Sequence, residues 1–225
     1  MAAGDAALDF FTVVDTQRAV RRFRPDPVPD VVLHRVIEAA TRAPSARGAE
    51  PWAFVVVRDA ATRATIGAHY RTAWEAAERW TDAVDADRDV RDRPHYARMM
   101  RAVRALAAHL AEAPVLVACC LDHGQLGPVA GPGGRLVSPV TAYASIFPAV
   151  QNLLLAARAL GLGTTLTTLH RGFEDALKAL LDVPATVEIA ALVPLGYPRD
   201  RFGPTRRKPV EAVASLERWG RAFRL

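Results

Sequence analysis

Arg18 and Arg21 stand three residues apart in the segment TQRAVRRF (16–23), where a turn or helix start would put both guanidiniums on one side. Two convergent guanidiniums make a fork-shaped site for an anion such as a phosphate, since each can form paired charge-assisted hydrogen bonds. On spacing alone, an ordinary pair of surface arginines is the commoner reading. A second segment, APSARGAEPW (43–52), is broken by Pro44, Ser45, Gly48 and Pro51 and reads as a structured loop. It carries the Ser45 hydroxyl, the Glu50 carboxylate and exposed backbone N–H groups, which can line a polar ligand; Trp52 reads as a core plug. Gln151 and Asn152 interrupt an otherwise apolar helix, and as buried amides they are expected to tie it to neighbouring backbone. The tail FGPTRRKP (202–209) presents Arg206, Arg207 and Lys208 between prolines, which by itself reads as a solvated basic turn.

Other chemistries find no support. Cys119 and Cys120 are adjacent in an apolar run, where strand neighbours point to opposite faces, so they read as packing thiols and not as a bridge. The six histidines are scattered singly, no metal-ligand spacing occurs, and no nucleophile–base arrangement stands out, so no catalytic side chain and no metal are expected. Gly161-Leu162-Gly163 follows a helix, which is the wrong setting for a dinucleotide fingerprint. The net charge of +5 is mostly dispersed arginine, without the basic stripe of a nucleic-acid binder. No uninterrupted apolar run approaches the roughly 20 residues of a membrane span. Residues 1–10 carry Asp5 and Asp9 and no basic leader, so the cytoplasm is the expected location.

These segments need elements to position them. With 51% hydrophobic residues the chain can build a packed core. Helical spacing predicts helices over 30–42, 60–81, 96–111, 141–160 and 173–181. The helix over 141–160 is apolar nearly all round and should lie at the centre, with Gly161 ending it. Strands are expected over 54–57, 114–121 and 187–193, and one is possible over 164–169. Residues 82–93 read as an exposed charged connection, 124–139 as a loop, and 210–219 as a short helix after a proline- and arginine-rich tail. The irregular mixture indicates an α+β fold and one domain over 1–225.

Taken in order, four segments resemble the nitroreductase family of FMN enzymes: RAVRRF at Arg18–Phe23, PSARGAEPW at Pro44–Trp52, QNLLLAARALGLGT at Gln151–Thr164 and RKP at Arg207–Pro209. The helix-end segment is the most specific of them, and the likeness runs from about residue 16 to 219. It implies a central, mostly antiparallel sheet flanked by helices, a long buried central helix, and an arm over about 198–225 exchanged in a homodimer with FMN at the subunit interface. It also implies that Arg18, Ala19, Arg21 and Arg207, helped by Arg206 or Lys208, hold the FMN phosphate and ribityl chain. Pro44, Ser45, Ala46, Gly48 and Glu50 would approach the flavin from the other subunit. Leu166, Thr167 and Thr168 would cover one face, with a backbone N–H, that of Thr168 foremost, beside flavin N5.

The implied reaction is ping-pong: NADH or NADPH reduces FMN, and a nitro compound, quinone or related small acceptor follows. The same fold also serves dehalogenases and natural-product or deazaflavin-pathway oxidoreductases, and a non-catalytic flavin-binding protein is the further alternative. Three positions depart from the family pattern: Ala19 replaces a common serine, Gly48 a frequent asparagine and Glu50 the usual glutamine. A carboxylate at Glu50 can accept from flavin N3–H but repels the neighbouring carbonyl oxygens.

Overall fold

In a computed structural model, the described residues are 8–84, 96–126 and 140–223. The apolar run 115–122 becomes β2 (Val115–Asp122), buried along nearly its whole length. It pairs antiparallel with β1 (Trp52–Val57) on one side and with β4 (Val187–Gly196) on the other. A two-residue strand, β3 (Gly163–Thr164), pairs antiparallel with β4 and completes the order β1-β2-β4-β3. Being buried on both faces, β2 and β4 read as continuous apolar runs without alternation.

Helices cover both faces. On one lie α2 (Asp30–Ala40) and α6 (Val140–Ala159), packed on Val115, Val117, Cys119 and Leu121. On the other lie α3 (Ala60–Val84), α4 (Tyr96–His109) and α7 (Glu174–Leu180), which meet Leu116, Ala118 and Cys120. Cys119 and Cys120 therefore sit in different cores, as their adjacency in a strand requires. Burial pushes the Cys120 thiol up to about 11 and the Cys119 thiol higher still. The β2–β4 register slips between these two residues, and Ala190 and Ala191 both turn to the α6 side, as a bulge dictates.

Two short helices complete the order: α1 (Phe10–Thr16), capped by Asp9, and α5 (His123–Leu126). By length and composition α6 is apolar enough to cross a membrane, with mean hydropathy 1.4. Here it packs Ile146, Val150, Leu153 and Ala157 into the core. Its burial is one-sided, however. Ala144, Phe147, Gln151 and Ala159 form an exposed stripe at helical spacing in the single chain.

The remaining element boundaries differ from expectation at particular points. The possible strand over 164–169 shrinks to Gly163–Thr164 plus a single bridge from Thr167 to Leu192, after which Leu169–Phe173 turns into a 3-10 helix. The helix expected over 210–219 reduces to one 3-10 turn, Val210–Ala212. Residues 82–84 belong to α3, while 85–93 of the charged connection lie outside the described residues, as do 127–139 of the glycine-rich loop.

Candidate functional site

Helix α1 ends at Thr16, and the chain then runs extended along the β3 edge of the sheet. Val20 N–H donates to the Thr164 carbonyl at 2.8 Å, and Arg24 N–H to that of Tyr197 at 2.8 Å. A side chain at Gly163 would bring its Cβ to 2.7 Å from Val20, so only glycine lets the strand come this close. Arg18 and Arg21 are thus carried on an extended segment held at two bridges, Ala19 to Thr164 and Phe23 to Pro198. The expected turn or helix start is absent because this backbone is committed to β3 and to the chain after β4.

Arg21 is half-buried, and burial lowers its pKa from the usual arginine value, with the neighbouring Arg18 charge acting in the same sense. Only four described arginines, Arg21, Arg22, Arg63 and Arg158, are withdrawn from solvent. Arg63 donates through Nη1 to the Ala111 and Ala113 carbonyls at 2.6 and 2.7 Å. Arg158 donates through Nε to Thr16 Oγ1 at 2.8 Å, and its guanidinium lies 4.0 Å over the Phe202 ring. The Arg21 and Arg22 side chains have no acceptor and no carboxylate among the described residues, and Arg22 Nε is fully buried. A half-buried cation next to another cation is costly unless an anion joins them.

The tail returns to this edge. Thr205 N–H donates to the Asp15 carbonyl at 2.8 Å, and Gly203 lies beside the Arg18 guanidinium. Arg206 and Arg207 are exposed, and Arg207 Nη1 is bonded to the Arg206 carbonyl at 2.9 Å. Sequence reasoning missed Arg158, which clamps the root of this tail through Phe202. No motif marks the contact, which joins positions 142 apart to Thr16.

After β3 the chain crosses the same edge. Thr167 pairs with Leu192 in both directions at 3.0 Å, so its N–H is already occupied. Among the described residues, the N–H groups of Leu166 and Thr168 have no acceptor, and both residues are exposed. Ala19, also exposed, lies against Thr164. Beneath this stretch, buried His170 donates from Nε2 to the Ile189 carbonyl at 2.5 Å, and burial lowers its pKa below the usual histidine value. The other buried support is Tyr70, whose hydroxyl shares a 2.8 Å hydrogen bond with Thr167 Oγ1.

The Pro44–Glu50 loop lies elsewhere. Ala46 N–H donates to Ser145 Oγ at 3.1 Å, near the start of α6, and Glu50 N–H to Ser45 Oγ at 3.0 Å. Arg47 and Glu50 adopt φ of 55° and 48°, and Gly48 65°, a left-handed conformation that is strained for the two non-glycines. Pro44 and Glu50 are exposed, Ser45 and Ala46 half-buried. Ser145 and the C-terminal end of α6 are separated by about 20 Å of helix rise, so one chain does not bring the loop to Arg18 and Arg21. Gln151 is exposed and Asn152 half-buried, and neither makes a hydrogen bond among the described residues. Their expected tie to neighbouring backbone is absent because they face away from the sheet.

A second arginine group sits near Phe23. A hollow of about 460 Å³ is lined by Phe23, Pro25, Arg58, Arg63, Glu112 and Arg199. Its guanidiniums are engaged: Arg58 with Asp30, Arg63 with three carbonyls, and Arg199 Nε with the Phe23 carbonyl at 2.9 Å. Among the described residues, no group of three His, Cys, Asp or Glu could hold a metal.

Known proteins resemble this chain in sequence and in fold. The family model described as "Nitroreductase family" matches residues 14–197. An NADH dehydrogenase of Thermus thermophilus is 30% identical, over 92% of this chain and 95% of its own. A 5,6-dimethylbenzimidazole synthase of Rhodospirillum rubrum is 33% identical over 88% and 89%. Among solved structures, an oxidised iodotyrosine deiodinase bound to FMN and 3-iodo-L-tyrosine aligns with a TM-score of 0.65 at 21% identity, covering 93% of this chain and 99% of that one.

Proposed function

The chain belongs to the nitroreductase family, and on that premise we propose that it is an FMN-dependent oxidoreductase fed by NADH or NADPH, working in the cytoplasm on a nitro compound, quinone or related small acceptor. The observation that carries this is Arg21, a half-buried guanidinium whose pKa the Arg18 charge helps to lower, with no anion to meet it among the described residues. A phosphate supplies the missing charge. FMN brings one, and it supplies hydride transfer through N5, which spares the protein a nucleophile or acid of its own.

The residues present fit that group. Arg18 and Arg21 hold the phosphate, and Arg206 and Arg207 are carried to the same edge by the Thr205–Asp15 contact. Leu166 and Thr168 offer free N–H groups to the ring, while Thr167 serves the sheet. Each acceptor enters after the nicotinamide leaves, in a ping-pong cycle.

The Pro44–Glu50 loop completes the site only from a second copy, since it stands at the other end of α6 in its own chain. Two features support a homodimer with an exchanged arm over about 198–225. The α6 stripe is uncovered, and a groove of about 1080 Å³ lies between α1, α2 and α6, beside the exposed Phe10. Trp219 on the arm is 99% exposed. Apolar surface of this kind is what an obligate interface covers.

The test is an absorbance spectrum of the purified protein, repeated anaerobically with NADH and then NADPH. A yellow protein that bleaches and recovers colour with a quinone or nitroarene supports the reading. A colourless protein that takes up no added FMN overturns it. The 33% identity to a 5,6-dimethylbenzimidazole synthase favours one second reading, a specialised flavoenzyme of the same fold that fragments its flavin; loss of flavin during turnover would select it.

A further inference from the structure

We propose that Tyr70 is a positioning residue of the flavin site, a bracket that fixes the free N–H groups of Leu166 and Thr168 by holding Thr167 between them. The inference rests on the flavin reading above and concerns a residue outside its motifs. Tyr70 lies on α3, on the opposite face of the sheet from α6, and is only 2% exposed. Its ring meets Phe173 edge-on at 6.5 Å, while His69 stacks on the same Phe173 at 5.6 Å. The ring therefore has one place to be, and so does its hydroxyl.

That hydroxyl reaches the candidate flavin edge at Thr167. It shares a 2.8 Å hydrogen bond with Thr167 Oγ1, which also accepts the Leu169 N–H at 3.3 Å. Burial raises the Tyr70 pKa, with the Thr167 hydrogen bond and the Arg21 charge acting against it. Thr167 is consequently held by its backbone, through Leu192, and by its side chain, through Tyr70. With the middle residue fixed twice, its neighbours Leu166 and Thr168 are turned outward with unused donors. A threonine held by the sheet alone could rock about the single Thr167–Leu192 bridge, and the N–H groups on either side would move with it. A buried hydroxyl costs free energy to desolvate, and a plain packing role at position 70 would be served better by phenylalanine.

The test is Tyr70→Phe, which keeps the ring and removes the oxygen. In flavin-free protein, amide hydrogen exchange at Thr167 and Leu169, the bonded N–H groups of this stretch, should rise about tenfold, the scale of one hydrogen bond, while α4 and β2 keep wild-type protection. Thr167→Val should reproduce this, Thr167→Ser should not, and the double variant Tyr70→Phe/Thr167→Val should be no worse than either single change. In FMN-loaded protein the oxidised-to-reduced ratio at a fixed poise should shift several-fold toward reduced flavin. The sign follows because N5 accepts a hydrogen bond only when oxidised, so a misplaced donor weakens that form selectively. Wild-type exchange and wild-type ratio in Tyr70→Phe would overturn the proposal, as would a uniform rise in exchange across the molecule. Failure of the functional reading looks different: wild-type protein would take up no FMN, while the exchange measurement would still decide the bracket.

Discussion

Two arginine groups meet the 18–24 segment at its two ends, and their donors are used in opposite ways. Near Phe23, Arg63 caps the carbonyls of Arg58, Ala111 and Ala113, Arg199 bonds the Phe23 carbonyl, and Arg58 faces Asp30. Those cations close open backbone ends and have little left for a ligand. At the other end Arg18 and Arg21, whose charges act on each other, have no acceptor among the described residues, and Arg21 is half-buried. Position in a hollow therefore does not distinguish a binding arginine from a structural one. What distinguishes them is whether the protein has already satisfied the guanidinium, because an unsatisfied, partly desolvated cation is tolerated only where something else completes it.

The contrast can be broken by exchanging the two kinds of loss. Arg63→Met strips three carbonyls of their donor and should cost about 3 kcal/mol of stability, which in a chain of this size lowers Tm by roughly 10 °C; FMN affinity of the folded protein should stay within twofold. Arg21→Met should do the reverse. FMN binding should weaken by about 30–100-fold, the worth of a charge-assisted contact of about 2–3 kcal/mol, while the flavin-free protein keeps or gains stability. Arg21→Lys should fall between, since an ammonium lacks the fork. Fluorescence titration and thermal melts on the same preparations separate the two outcomes. A loss of stability in Arg21→Met as large as in Arg63→Met would make Arg21 structural as well.

Arg158 tests the middle ground. It is satisfied like Arg63 but serves the tail that carries Arg206 and Arg207. Arg158→Met removes the Thr16 bond and the contact over Phe202, together worth about 1–2 kcal/mol. The expected signs are faster proteolysis within 202–223 and a several-fold weaker hold on FMN, with the core melting close to wild type. Uncut tail and unchanged affinity would detach Arg158 from the site.

Much of the architecture was legible because it depends on local pattern. Val115–Asp122 and Val187–Gly196 are apolar runs of strand length, and α2 and α6 carry helical periodicity. Legibility failed where the partner decides. Residues 210–219 have helical spacing, yet Val213 and Trp219 face solvent and only one turn forms, since a short helix needs its apolar side covered. At the candidate site, residue type singles out Arg18 and Arg21, but the turn or helix start expected there is absent: β3 supplies the partner that straightens the segment. Tyr70 and Arg158 could not be read at all. Their contacts cross 97 and 142 positions, and nothing in either local sequence marks them.

Arg199 gives the smallest expected effect and the sharpest check on the division. Its side chain is 49% exposed, and its contact with Glu112 is long, at 3.7 Å, so solvent screens most of that pair. The bond from Nε to the Phe23 carbonyl is the main loss in Arg199→Met, about 1 kcal/mol or less. The backbone link from Arg199 N–H to the Arg22 carbonyl at 3.2 Å survives any side chain. The 22–24 end of the segment therefore stays where it is, and Arg21 with it, so FMN affinity should change by less than twofold. If affinity instead falls as far as in Arg21→Met, the two arginine groups form one electrostatic unit, and satisfaction by backbone would no longer separate structural from binding cations.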